Sequence, residues 1–260
     1  MELIPVDVVK IIFYKLKFYE QIAFKSTCKK YYALQIKKIP SELHAKLTDD
    51  ILIRFPALEK LLLCENDNIT DTGLSCVPNL NVLMMYRNTK ITDAGIKYCK
   101  KLQHFQTLSN HISDISHLTE LTELNIQNNI KISNSVTLKI LKNLRLLKIV
   151  NSNIILDDSV LENLENLEYL YSKLMDTHFS DIGLQNLKNL KMLLTDNSRI
   201  TNNGLLHMKN LQFLCLPNHI TITQVPENCI VMQRPYDNKV VSELHAQIFN
   251  TCNFSYKYRF

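Results

Sequence analysis

One spacing of apolar positions recurs along most of the chain. The pattern L-x-x-L-x-L-x-x-N, with other residues at some positions, is clearest at Leu58, Leu61, Leu63 and Asn66. Seven further registers follow at intervals of 19 to 23 residues, and they begin at Leu80, Leu102, Leu121, Leu144, Leu167, Leu190 and Leu211. A pattern that returns at this interval predicts structural repeats, each of which buries its apolar side chains against its neighbours.

Each register predicts a short strand followed by a turn. The leucines alternate with other residues, as expected for a strand with one face in the core. The polar residue that closes each register is expected to hydrogen-bond unpaired backbone groups at the turn. These residues form a predicted ladder, in which Ser and His are weaker members: Asn66, Asn88, Asn110, Asn129, Ser152, Ser198 and His219.

A second phrase, Ile-Thr-Asp-x-Gly followed by an apolar residue, lies between the strands. It occurs at residues 69–74 and 91–96, and variants occur at 179–184 and 200–205. Thr, Ser or Asp in this position can cap a short helix. Strands and helices that alternate at this period resemble leucine-rich repeats. The resemblance implies an α/β solenoid, with parallel strands on its concave face and short helices on its convex face.

Side chains between the leucines are expected to point to the concave face. They form two apolar groups around a polar centre made of Glu123, Asn125 and Gln127. The first group is Leu62, Met84, Tyr86 and Leu108, and the second is Leu146, Val150, Tyr169, Tyr171, Met192, Leu194 and Phe213. Exposed apolar surface of this extent is typical of protein contact sites. We therefore predict that this face binds a target protein; the alternatives are that the C-terminal tail covers one group or that the surface is inert.

The first 42 residues follow a different pattern. Pro5 suits a helix start, and the apolar residues at positions 8, 9, 12, 13 and 16 have helical spacing. Two more helices are predicted over residues 19–25 and 28–38. Three short helices in about 40 residues form too small a core for strong stability alone. The segment is therefore expected to depend on the repeats or on a partner.

This segment resembles the F-box family, which begins with a Leu-Pro pair before an apolar helix and ends in Val-Cys-Lys-x-Trp. The matching residues are Ile4-Pro5, Asp7-Val8-Val9, Ile12-Phe13, Leu16 and Thr27-Cys28-Lys29-Lys30-Tyr31, although Ile4, Thr27 and Tyr31 replace the usual residues. The resemblance implies binding to the adaptor Skp1, and through it to a cullin, with contacts from Ile4, Pro5, Val8, Ile12 and Leu16. The alternative is that these residues cap the open end of the repeats.

Composition restricts the other kinds of function. The net charge is +5, but no Arg-rich arm or basic helix is present, so a nucleic-acid partner is not expected. No apolar run is long enough to span a bilayer, and the N-terminus has no signal-peptide pattern, so no membrane partner is expected. The seven cysteines include no C-x-x-C pair. Reduced thiols in the cytoplasm or nucleus are the simplest interpretation.

The chain has no sequence motif for catalysis. H-E-x-x-H, G-x-S-x-G and glycine-rich phosphate loops are missing, so we expect a non-catalytic protein without metal or cofactor. The predicted organisation is an F-box-like module at 1–42, about eight repeats at 43–220 and a C-terminal cap or tail at 221–260. The predicted function is a substrate-recognition subunit of an SCF-type ubiquitin ligase. The alternative is a protein-binding repeat scaffold without a ligase role.

Overall fold

The computed structural model describes residues 6–27, 34–108, 110–173, 178–197 and 199–233. The chain forms two compact units, residues 1–120 and 121–260. The first unit contains, in chain order, α1 (Val6–Lys15), α2 (Phe18–Thr27), α3 (Ser41–His44), α4 (Asp49–Leu52), β1 (Lys60–Cys64), α5 (Asp71–Ser75), β2 (Val82–Tyr86), α6 (Asp93–Ile96) and β3 (His104–Thr107). The second contains β4 (Glu123–Gln127), α7 (Val136–Ile140), β5 (Leu146–Val150), α8 (Asp158–Leu161), β6 (Tyr169–Lys173), α9 (Asp181–Leu184), β7 (Met192–Thr195), α10 (Asn202–Leu205), β8 (Phe213–Leu216) and β9 (Ile230–Gln233).

In the first unit, strands β1, β2 and β3 are parallel neighbours. Leu61, Leu83 and Phe105 lie opposite one another in this register, and all three are fully buried. The leucines that open the same repeats, Leu58, Leu80 and Leu102, are fully buried as well. Each core position therefore stacks on the equivalent position of the next repeat, which buries apolar surface that one repeat cannot cover alone.

In the second unit, strands β4 to β9 are parallel and pair in chain order. Their aligned core residues are fully buried: Leu124, Leu147, Leu170, Leu193 and Leu214. Strand β9 extends the sheet beyond the last leucine register, with Val231 opposite Leu214. The leucine pattern does not predict this strand. The parallel strands and short helices of both units confirm the predicted α/β repeat architecture.

The N-terminal segment agrees with the sequence in its first two helices and differs in its third. Helices α1 and α2 are present, but the helix predicted over residues 28–38 is wrong for residues 34–38, which are not helical. Leu34 and Ile36 are buried while their neighbours are exposed, which is the two-residue period of an extended chain. The Lys37 carbonyl accepts a hydrogen bond from the Glu59 amide at 2.9 Å, so this segment lies beside the start of β1.

The two N-terminal helices have a small core of their own. Val9 and Phe13 of α1 pack with Leu34 and Ile36, and three partly buried phenylalanines surround them: Phe18, Phe24 and Phe55. The side chain of Gln21 on α2 donates to the Phe13 carbonyl at 3.1 Å, which joins the two helices. In the part of the chain that the structure describes, no helix is long and apolar enough to cross a membrane.

Candidate protein-binding surfaces

A buried asparagine holds the turn after several strands, as predicted for residues 66, 88 and 129. The Asn88 amide donates to the carbonyls of Asn66 and Ile69, at 2.5 and 3.1 Å. Its carbonyl oxygen accepts from the amides of Lys90 and Ile91. One side chain therefore satisfies four backbone groups, two of them in the preceding repeat.

The asparagine ladder differs from its prediction in the later repeats. In the seventh repeat the ladder residue is Asn197, which donates to the Phe179 carbonyl at 2.5 Å and accepts from the Arg199 amide. The residue predicted for this position, Ser198, lies outside the described residues. Asn197 comes one residue earlier in the register than the predicted position. Asn110 and His219 are exposed and do not continue the ladder as buried members.

A second ladder runs through the helices. Asp71 at the start of α5 accepts from the backbone amide and the hydroxyl of Thr92, both at 2.7 Å, in the next repeat. A Cβ atom on Gly95 would lie 2.4 Å from the Asp71 carboxylate, so only glycine fits there. Equivalent bonds join Asp49 to Thr70, Asp93 to Ser113, Asp158 to Ser180 and Asp181 to Thr201. The Thr-Asp-x-Gly phrase thus joins neighbouring repeats, in addition to the predicted helix capping by Thr92.

A third ladder precedes the strands, and the sequence analysis missed it. Asn79, Asn166, Asn189 and Asn210 each come directly before the leucine that opens a repeat. Each side-chain amide donates to a carbonyl of the preceding repeat, at 2.9 to 3.2 Å. The recurring Asn-Leu pair was the available signal. The first and third ladders explain part of the chain's high asparagine content, and all three ladders hold repeats against their neighbours.

We call the strand face opposite the leucine core, which the sequence analysis predicts to be the concave face, the outer strand face. In the first unit, Leu62 and Met84 lie opposite each other in register and are 7% and 8% exposed. Tyr86 and Leu108 are half-buried. Side chains on strands about 4.8 Å apart cover one another, so the predicted exposure was wrong for Leu62 and Met84. The structure places the four predicted residues in one unit, and target binding by them stays a prediction.

In the second unit the outer strand face has an apolar cluster. Met192, Leu194, Phe213 and Cys215 are buried, and Tyr169, Tyr171 and Met232 pack against them half-buried. The expectation of an exposed patch was therefore wrong for Met192, Leu194 and Phe213. Tyr169 and Tyr171 lie opposite Met192 and Leu194 on the neighbouring strand, and Phe213 lies between Met192 and Ile230. The structure brings five of the seven predicted residues of this group together in the cluster. Of the other two, Leu146 is buried, contrary to the prediction, and Val150 is half-buried. Sequence reasoning did not include Met232, since β9 was not predicted.

Charged side chains flank the two tyrosines. The Lys148 ammonium lies 5.0 Å from the centre of the Tyr171 ring, and burial lowers the pKa of Lys148 to about 8. The Lys191 ammonium lies 6.0 Å from the Tyr169 ring. It also pairs with Glu168 at 2.6 Å, and this hydrogen bond raises the pKa of Lys191. A cation near an aromatic face is attracted by the ring and helps to hold it in place.

Helix α1 has a buried side and an apolar exposed side. Val9 and Phe13 are buried, whereas Val8, Ile11 and Ile12 are 43%, 58% and 43% exposed. Residues 8, 11 and 12 have the i, i+3, i+4 spacing of one helix face. Leu16, another predicted adaptor contact, is half-buried. Ile4 and Pro5 lie outside the described residues, as do the matching residues 28–31.

The described residues contain few groups suited to covalent or metal chemistry. Among them, no cluster of three His, Cys, Asp or Glu side chains is arranged to hold a metal ion. Five described cysteines are free thiols: Cys64, Cys76, Cys99, Cys215 and Cys229. Burial raises the pKa of Cys99 to about 12, so this thiol stays protonated near neutral pH.

Several solved structures are similar to this fold. An internalin from Listeria monocytogenes has a TM-score of 0.54 at 22% identity, over 78% of this chain and 72% of its own. This chain has a leucine-rich-repeat fold. Internalin C2 of the same organism is also similar, with a TM-score of 0.52 and 22% identity over 72% of this chain and 84% of its own.

A leucine-rich-repeat protein of Leptospira interrogans has a TM-score of 0.56 at 20% identity over 76% of this chain. The match spans 52% of that protein, about half its length. The sequence matches no protein-family model and no curated protein. At these identities the similarity establishes the fold, and the function has to be inferred from the surfaces.

Proposed function

We propose that this protein is a substrate-recognition subunit of an SCF-type ubiquitin ligase, which binds a Skp1-like adaptor, and through it a cullin, by its N-terminal helices. The observation that carries this proposal is the exposed face of α1. Val9 and Phe13 of this helix are buried in the N-terminal core, whereas Val8, Ile11 and Ile12 expose apolar surface to water. Contiguous apolar surface is usually covered by a partner in the functional state. The F-box resemblance of this segment supports a Skp1-like adaptor as that partner.

The proposed target site is the outer strand face, with Tyr169 and Tyr171 as its principal contacts. Both tyrosines are half-buried, and both pack on buried neighbours that keep their rings in place. Tyrosine adds a large, amphipathic contact surface at a small entropy cost. Replacing both by alanine is expected to remove target binding while leaving adaptor binding unchanged.

Adaptor binding is tested by a pull-down of the purified chain with a eukaryotic Skp1. Ile12→Asp places a charge on the exposed face of α1, and we expect it to weaken binding by about tenfold or more. Ile140→Asp is the matched control, because Ile140 is also an isoleucine on a helix and is also 43% exposed. The control is expected to bind like the wild type, and circular dichroism checks that both variants fold.

The proposal fails if the folded wild type binds no Skp1, or if both variants lose binding equally. In that case the alternative of a repeat scaffold without a ligase role remains. The α1 face would then be assigned to capping the repeats. The tyrosine variants still test that alternative, since their expected loss of target binding does not depend on the adaptor.

A further inference from the structure

The excess positive charge of this chain is confined to its N-terminal segment. Residues 1–40 contain 8 of the 30 basic residues, all lysines, and 3 of the 25 acidic residues. The remaining residues have 22 of each, so the whole net charge of +5 comes from the first 40. Segregated charge of one sign raises the local concentration of partners of the opposite sign.

This segment contains a cavity of about 560 Å³. It lies where the connection between α1 and α2 meets residues 37–40 and Glu59. Its apolar walls come from Tyr14, Phe18 and Ile39, with Leu16 and Pro40 beside them. The volume falls within the range of ordinary ligand sites, and the walls combine aromatic and aliphatic surface.

Lysines surround this cavity without enough acidic residues to balance them. Lys17, Lys37 and Lys38 line it, and the one acidic residue in its lining is Glu59. Glu59 is already paired with Lys37 at 2.6 Å, a hydrogen bond that raises the pKa of Lys37. Within the described residues, Lys17 and Lys38 have no ion pair. Burial is the main cause that lowers the pKa of Lys60, and repulsion from Lys38 lowers it further. Positive charges are therefore crowded near this cavity.

We propose that this cavity binds an acidic segment of a partner protein, in which an aspartate or glutamate lies beside an apolar side chain. The carboxylate pairs with Lys17 and Lys38, and the apolar side chain packs against Tyr14 and Phe18. A peptide fits better than a nucleic acid, because the walls are largely apolar and the cations are lysines around one cavity, without the extended basic track that a phosphate backbone requires. This inference does not rest on adaptor binding by α1.

The test uses a fluorescent peptide of alternating glutamate and leucine, with binding followed by anisotropy. We expect the full chain to bind this peptide, and to bind it less tightly at high salt. The double variant Lys17→Gln, Lys38→Gln is expected to raise Kd by about tenfold or more. Lys46→Gln, Lys100→Gln is the matched control, because both lysines are exposed and lie outside the cavity lining. It is expected to change Kd by less than about twofold.

Four results would overturn the proposal: no binding of the peptide, equal weakening by both double variants, tighter binding of a single-stranded oligonucleotide than of the peptide, or displacement of the peptide by an equimolar amount of inorganic phosphate. The last two would assign the cations to nucleic acid or to free anions. Ile12→Asp separates this site from the adaptor surface, since it is expected to leave peptide binding intact. If the wild type binds no Skp1 but binds the peptide, the adaptor proposal fails and the cavity proposal stands.

Discussion

Strand β4 and helix α1 place their aliphatic side chains in opposite environments. In β4, Leu124 and Ile126 are fully buried, whereas in α1 Ile11 and Ile12 are 58% and 43% exposed. The repeats bury their apolar surface in the stacked core. The side chains of the three ladders hydrogen-bond backbone groups of neighbouring repeats. The N-terminal helices have only a small shared core. From this difference we predict that the repeats are stable without a partner, and the proposed function makes the exposed face of α1 the surface for one.

Truncating one isoleucine in each region should give the largest difference. Ile126→Ala leaves a cavity in a packed core, and we expect it to lower the free energy of unfolding by about 3 to 4 kcal/mol. Ile12→Ala removes atoms that are largely in water, and we expect a loss below about 0.5 kcal/mol. Urea denaturation of the two variants measures both values. Similar losses would mean that the two regions do not differ as described.

A pair of asparagines compares buried and exposed ladder positions. Asn88→Ala leaves four backbone groups without their side-chain partner, and we expect a loss of about 3 kcal/mol. Asn110 ends the next register in the sequence but is exposed, so water can replace any contact that its side chain loses, and Asn110→Ala should cost less than about 1 kcal/mol. Thermal or urea unfolding distinguishes the two. An equal loss for both variants would contradict the difference between buried and exposed positions.

Strands β1 to β8 and the ladder residues Asn66, Asn88 and Asn129 could be predicted because the period determines the environment of each residue. Leu61, Leu83 and Leu124 recur at one position of the pattern, and the structure buries them all. The Asp71–Thr92 contact could not be recognised, since the phrase alone is equally consistent with helix capping. The glycine of the phrase is required because a Cβ atom on Gly95 would collide with Asp71, and this is visible only when the neighbouring repeat is in place.

The candidate surfaces were less predictable. Alternation along a strand identifies which side chains share a face, but their exposure depends on the size of residues on neighbouring strands. Leu194 is fully buried for this reason, next to Tyr171. The cavity near Lys17 joins residues from three separate segments, and no local pattern brings them together. Helix α1 itself was predicted because helical spacing is local to the helix. Its exposed residues Val8 and Ile12 were singled out by the F-box resemblance, and Ile11 was not.

Acid should weaken the contact between the N-terminal segment and β1 through His44. Its Nδ1 accepts from the Leu62 amide at 2.8 Å, and its Nε2 donates to the Ile39 carbonyl at 3.0 Å, which requires the neutral ring. Burial is the main cause that lowers the pKa of His44. The carbonyls of Ile39 and Leu62, which lie 3.0 and 3.2 Å from the ring nitrogens and can accept from a charged ring, oppose it.

Because the folded pKa is below the unfolded value of about 6.5, this stabilisation is full above that pH and is lost as pH falls towards the folded pKa. Wild type and His44→Gln are compared by urea denaturation between about pH 7 and pH 5. The wild type is expected to lose more stability over this interval than the variant, which cannot titrate here. Equal pH dependence would contradict the assignment.

The smallest expected effect concerns backbone strain after the strands. Glu65 has φ of 55°, in the left-handed region, whereas the equivalent positions in the second unit are Asn128 and Asn151. Asparagine adopts this conformation at lower cost, so Glu65→Asn should stabilise the protein by about 0.5 kcal/mol. Glu65→Gln is the control: it removes the exposed ion pair with Arg87 without relieving the backbone, and it should have almost no effect. An equal gain from both variants would attribute the effect to charge.

The most direct test of the central claim, that α1 is a partner surface on a self-sufficient repeat array, is hydrogen–deuterium exchange of the full chain with and without a Skp1 adaptor. We predict that the adaptor slows exchange of the amides in α1 and α2, while the amides of β4 to β7 are already slow and stay unchanged. Added protection confined to the repeats, or none anywhere, would contradict the claim.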